Sequence, residues 1–251
     1  MFFKKGTANI LKGFLFSCLF KLFGLLRPTA RFKLALRLAR WGGPLIKAAG
    51  YFPMPAFASG NYHEFLTAGF LQSLTNRGAE FDPVIEVRGA ELIPEKGAIL
   101  LSGHFYLNFV FLRWLHDNER AHSVFLATGT DRWPILGTNT ELKRLLPGNI
   151  SLVRVKQLLS EGEIVIAAID DCEHHPNWTK LEIAGREIYI SDALIRFAER
   201  SGTPVFFFDT YFESNYKIVT EIVRPSLAEH ATIVDDFEPF IRNAVNKRNT
   251  V

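Results

Sequence analysis

Cysteine is nearly missing from this chain of 251 residues: Cys18 and Cys172 are the whole supply. Two such distant thiols make no disulfide framework, and a reducing compartment is the simpler expectation. Acidic residues are missing from the first 62 positions, which hold ten Lys and Arg and no Asp or Glu. A balanced, ordinary surface is thereby excluded for that stretch. Long apolar runs are missing too. Within residues 10–26 the longest uncharged run, residues 13–20, falls well short of the roughly 20 residues that a bilayer span needs. No Gly-rich phosphate loop, nucleophile elbow or paired zinc motif occurs. Cys172, His174 and His175 lie close together, but without a fourth ligand at a useful spacing no metal centre is expected.

What the chain does have is apolar mass. Hydrophobic residues make up 48% and Phe alone accounts for 23 positions, enough for one sizeable core. The charge is unevenly spread. Past residue 62 the chain carries 19 basic and 26 acidic residues, a net of −7, behind a purely basic arm. Phe and Leu crowd residues 10–26, interrupted by Lys12 and Lys21. That mixture suits a helix lying in a membrane interface, with Phe and Leu in the acyl boundary and the cations on anionic headgroups. Phe-Leu runs make a poor phosphate-tracking surface, so nucleic acid is not an expected partner. The expected division is a membrane-associated arm over 1–50 and an α/β domain over 51–251.

Periodicity predicts a basic helix over 31–47, broken near Gly42-Gly43-Pro44, and an amphipathic helix over 61–77. Strands are expected at 84–88, 98–101, 123–127, 164–169, 205–208 and 217–223, with a hairpin over 180–190 turning at Gly185-Arg186. Helices are expected at 106–116, 141–146, 152–161 and 237–245, and another capped by Ser191 and stopped by Gly202-Thr203-Pro204. Strands alternating with helices predict a mostly parallel sheet flanked by helices.

Three of these strands run into polar groups: Leu101 before His104, Ile169 before Asp170 and Asp171, and Phe208 before Asp209. In a parallel sheet such ends share one edge, where open α/β sheets carry their chemistry. A histidine beside a carboxylate is the minimal base for activating a hydroxyl or an amine. Loop solvation and helix capping are the competing readings for each acid. Arg132 and Arg154 are candidates for neutralising a phosphate. Trp133 is a candidate pocket wall, and Tyr106 is placed to narrow a pocket beside His104.

Several stretches resemble one family. They are Val87-Arg88-Gly89-Ala90-Glu91-Leu92, then Lys96-Gly97-Ala98-Ile99-Leu100-Leu101-Ser102-Gly103-His104-Phe105, then Leu158 to Asp170 with Gly162. Gly185 followed by Ser191 to Val205, with Ala198 and Gly202-Thr203-Pro204-Val205, completes the set. In this order they resemble the lysophospholipid acyltransferase-like superfamily, in its bacterial lipid A biosynthesis (lauroyl/myristoyl) branch. The resemblance spans roughly residues 10–245. It implies acyl transfer from an acyl-carrier-protein or coenzyme A thioester to a hydroxyl or amine acceptor. The expected location is the cytoplasmic face of the inner membrane, with a peripheral or monotopic attachment. The thioester is a co-substrate, and no cofactor is implied. His104 is the implied general base.

In that family an acid five residues after the histidine orients it. Here that position is Phe109, within Tyr106-Leu107-Asn108-Phe109. Orientation of His104 then falls to Asn108, Asp170 or Asp171. The departure also admits a second reading, a homologue that binds acyl chains, lipid or a partner without transferring anything.

Overall fold

The computed structural model describes residues 25–48, 62–76, 78–125, 134–138, 140–145, 151–171, 178–183, 185–214, 217–226 and 232–249. Two helices, α1 (Pro28–Ala48) and α2 (Tyr62–Thr75), precede the first strand, β1 (Ile85–Arg88). Then follow β2 (Ile99–Ser102), α3 (Asn108–Asp117), β3 (His122–Phe125), β4 (Arg144–Leu145), α4 (Ser151–Ser160) and β5 (Ile164–Ala168). A short strand β6 (Asp170–Asp171) leads to the hairpin β7 (Thr179–Ile183) and β8 (Arg186–Ile190). The chain closes with α5 (Ala193–Ser201), β9 (Val205–Ser214), β10 (Lys217–Val223) and α6 (Ile233–Asn249).

Seven strands form one sheet in the order β1-β10-β9-β2-β5-β3-β4. From β9 to β4 all neighbours are parallel. β10 turns back antiparallel on β9, and β1 lies parallel to β10. The expected mostly parallel α/β sheet flanked by helices is therefore present. β6, β8 and β7 form a separate antiparallel sheet.

The central strands are apolar on both sides, as a sheet covered by helices on both faces requires. Ile99 and Leu101 of β2, Val165 of β5 and Phe207 of β9 meet α4, α5 and α6 through Val155, Leu158, Ile195, Phe237 and Ile241. Leu100, Ile166, Phe206 and Phe208 face the other way, onto Phe111 and Leu115 of α3. A third cluster joins Phe32 and Leu36 of α1 and Leu71 and Leu74 of α2 to Leu107, Val110 and Phe212. α1 thus packs against the body through this cluster. Residues 1–24 and 49–50 of the arm expected over 1–50 lie outside the described residues.

Several local expectations need correcting. The α1 backbone stays helical through Gly42, Gly43 and Pro44 to Ala48, although proline removes one helical donor. The helix expected over 141–146 is absent: Glu141 bridges to Pro134, and Arg144–Leu145 pairs with β3 as an edge strand. Tertiary pairing outweighs the weak local helix pattern there. Ser191 does not cap α5; Asp192 holds that position and its carboxylate pairs with Arg196. The helix does end at Gly202, whose φ of 66° is the left-handed region that glycine tolerates. Asp170 and Asp171 are not a free loop but β6, paired with Ile190 and Tyr189. β9 does not stop at Phe208 but continues to Ser214 along β10, so Asp209 lies within a strand.

Candidate active site

Ser102 of β2 stands opposite Ala168 of β5 in a parallel register. His104 and Asp170 therefore leave adjacent strands at the same level of the sheet edge. They meet. The His104 backbone N–H donates to Asp170 Oδ1 at 2.8 Å, and the imidazole Nδ1 lies 3.0 Å from the same oxygen. Where the carboxylate is ionised it only accepts, and Nδ1 is then the donor of this contact. That tautomer leaves Nε2 as the basic nitrogen. The His104 side chain is 57% exposed, while the Asp170 side chain is fully buried. A dry carboxylate behind a solvent-facing imidazole is the arrangement that fixes a tautomer and steadies an imidazolium. Among the described residues, Asp170 Oδ2 has no hydrogen-bond partner.

The turn that presents His104 is short. The Phe105 N–H donates back to the Gly103 carbonyl at 2.7 Å, and φ at His104 is not positive. This makes an inverse γ-turn, a common device at strand ends, with His104 at its apex. Asn108 secures it from behind. Its Nδ2 donates to Ser102 Oγ (2.8 Å) and to the Gly103 carbonyl (2.9 Å), and its Oδ1 accepts from Thr210 N–H (3.2 Å). Asn108 thus ties the turn to β9, and Asp170 is the group that orients the imidazole. The Asp171 backbone continues β6 opposite Tyr189.

Phe109 faces inward, packed against two of the core clusters. The acid in contact with the imidazole is Asp170, 66 residues away in sequence. Tyr106 is half-buried beside the turn, edge-on to Phe65 of α2 at 5.0 Å and 67°. Arg154 is exposed on α4 and acts on Glu163, which precedes β5 at the strand end opposite Asp170. The structure does not bring it to His104. Arg132 and Trp133 lie outside the described residues, as do Cys172, His174 and His175. No group of His, Cys, Asp and Glu able to hold a metal occurs among the described residues.

The third acid, Asp209, is 1% exposed and belongs to a different constellation. It pairs with Arg248 of α6, which also pairs with Glu64 of α2 at 2.8 Å. Burial pushes the Glu64 carboxyl up to about 7, against the opposing pull of the Arg248 charge. Burial acts to lower the Arg248 value, but the charges of Asp209 and Glu64 outweigh it and the net shift is upward. Glu64 and Arg248 have no motif signal. One is an acid on an apolar helix face and the other sits 184 residues away near the C-terminus.

No protein-family model matches the chain, and no curated protein matches it.

Proposed function

We propose that this chain transfers a fatty acyl group from an acyl-carrier-protein or coenzyme A thioester to a hydroxyl or amine acceptor at a membrane. The observation that carries the reading is the His104 Nδ1–Asp170 Oδ1 contact of 3.0 Å at the carboxyl edge of the sheet. It supplies an oriented base despite Phe109. In the proposed step His104 Nε2 takes the proton of the acceptor O–H or N–H. The acceptor attacks the thioester carbonyl, its new bond to carbon forms, and the C–S bond breaks. The departing thiolate then takes the proton from the imidazolium. Asp170 holds Nδ1–H throughout. The ordered blocks resembling the lipid A acyltransferase branch point to the same chemistry.

The membrane part of the proposal is supported by α1. Lys33, Arg37 and Trp41 recur at helical spacing on its exposed side, and Trp41 is 72% exposed. Cations with an interfacial tryptophan suit an anionic lipid surface on the cytoplasmic side. No described helix is long and apolar enough to cross a membrane.

The test is thiol release by the full chain, with both classes of thioester and a panel of lipid and amine acceptors. Acceptor-dependent release that His104→Ala abolishes is the expected result. Binding of acyl chains or lipid with no release from any donor would favour the non-transferring homologue.

A further inference from the structure

Phe105, the residue after the proposed base, rests against a guanidinium. Arg248 Cζ lies 3.8 Å from the centre of its ring. Arg248 is 8% exposed, in the last turn of α6. All five of its N–H donors are engaged. Nε donates to Glu64 Oε2 (2.8 Å). Nη1 donates to Asp209 Oδ2 (2.9 Å) and the Ala244 carbonyl (2.8 Å). Nη2 donates to Asp209 Oδ1 (2.6 Å) and the Thr210 carbonyl (2.8 Å). A planar fork saturated in this way cannot tilt without leaving buried polar groups unpaired. Its face is therefore a fixed platform, and the ring stacked on it is fixed with it.

That ring belongs to the three-residue turn of His104. In so tight a turn, the direction of one Cα–Cβ bond constrains the next. There is little room for the ring to slide. A Cβ built on Gly103 would lie 3.0 Å from the Phe105 ring and 3.0 Å from Ile241 Cδ1. α2 meets the support of this turn and the residue after it through consecutive side chains. Glu64 accepts from Arg248 beneath Phe105, and Phe65 packs edge-on to Tyr106.

We propose that Arg248, held by Asp209 and Glu64, is a positioning residue that sets the direction of the His104 imidazole through the Phe105 ring. This rests on the reading of His104 as the base of an acyl transfer. The ordering of the turn keeps Nδ1 on Asp170 and aims Nε2 outward. Loosening the ring lets the imidazole rotate away from Asp170, and the proton then redistributes between the two nitrogens.

The test reads that proton directly. Full-length chain labelled with ¹⁵N-histidine reports the tautomer of His104, with the signal assigned by its loss in His104→Ala. Phe105→Leu removes the ring, Phe105→Tyr keeps it, and Arg248→Lys keeps the charge without the planar fork. Near-UV circular dichroism selects the variants that retain the native fold. Expected are the Nδ1–H form in the wild type and Phe105→Tyr, and a mixture with the Nε2–H form in Phe105→Leu and Arg248→Lys. In the thiol-release assay the latter two lose about tenfold in kcat with KM unchanged. If Arg248→Lys does not fold, Phe105→Leu decides the matter alone. A folded Phe105→Leu that keeps the wild-type tautomer overturns the positioning role. A tautomer shift in a chain that releases no thiol would sink the acyl-transfer reading and leave the positioning role standing.

Discussion

Asp170 and Asp209 follow β5 and lie within β9, on either side of β2, and both are buried. Their partners differ. Asp170 meets an imidazole more than half exposed to solvent, and one of its oxygens has no partner among the described residues. Asp209 meets a guanidinium buried like itself, and both of its oxygens are taken. The first pair has a titratable group facing outward and capacity in reserve. The second is saturated and closed to solvent. Chemistry needs the former and rigidity the latter. Arg248 lies over the Phe105 ring, so the closed network is in contact with the turn that carries His104.

Substitutions at the two aspartates should separate these roles. Asp170→Asn keeps the shape of the site but replaces an acceptor-only group with one that also donates. The wrong tautomer of His104 is then favoured, and acceptor-dependent thiol release should fall by about 10⁴ with little change in stability. Release at the wild-type rate would break the comparison.

The closed network predicts the opposite pattern. Arg248→Ala leaves Asp209 and Glu64 buried without their counter-charge, which costs about 3–5 kcal/mol. Urea unfolding midpoints measure this, and a loss below about 1 kcal/mol would contradict a tightly coupled network.

Glu64 sharpens the contrast through pH. Its folded value, pushed up to about 7 by burial, lies above the ordinary 4.5. Between those two values the folded chain binds more protons than the unfolded one. The Glu64 contribution to stability is therefore full below about pH 4.5 and is lost as pH rises towards 7. Other carboxylates pull the other way, Glu213 and Glu221 among them. The difference in unfolding free energy between wild type and Glu64→Gln isolates the effect. That difference should shift against the wild type from pH 4.5 to 7 and level off above. A flat difference would place the Glu64 proton affinity at its ordinary value.

Gly103 tests the seam between the two regions. A methyl there meets the Phe105 ring and Ile241. Gly103→Ala should cost about 1 kcal/mol and lower thiol release by a larger factor than that loss of stability explains. An unchanged rate would mean that the turn tolerates movement of Phe105.

Much of this architecture is legible in the sequence, and the rest fails for identifiable reasons. Alternating apolar strands and helices point to a parallel sheet, and the run into Gly103-His104 points to its carboxyl edge. Asp170 is among the three candidates for the orienting group because Ile164 to Ile169 reads as a neighbouring buried strand. Choosing it over Asn108 requires the β2–β5 register, which pairing across the chain decides. Asp209 reads as a strand end because a charge follows Phe206-Phe207-Phe208. The strand continues because Thr210, Tyr211 and Phe212 pair with Thr220, Val219 and Ile218 of β10, and Arg248 neutralises the charge. A partner 39 residues away leaves no local pattern to read. The same holds for Arg144–Leu145, a two-residue strand defined only by its neighbour β3.

The claim that His104 and Asp170 act as one unit has a direct test in a double-mutant cycle on acceptor-dependent thiol release. Wild type, His104→Ala, Asp170→Asn and the double variant are compared with the donor and acceptor held constant. The account predicts that the double variant is no slower than His104→Ala, because an orienting carboxylate has no effect once the imidazole is gone. Losses that multiply, each substitution acting in full on the background of the other, would show that Asp170 does not work through His104.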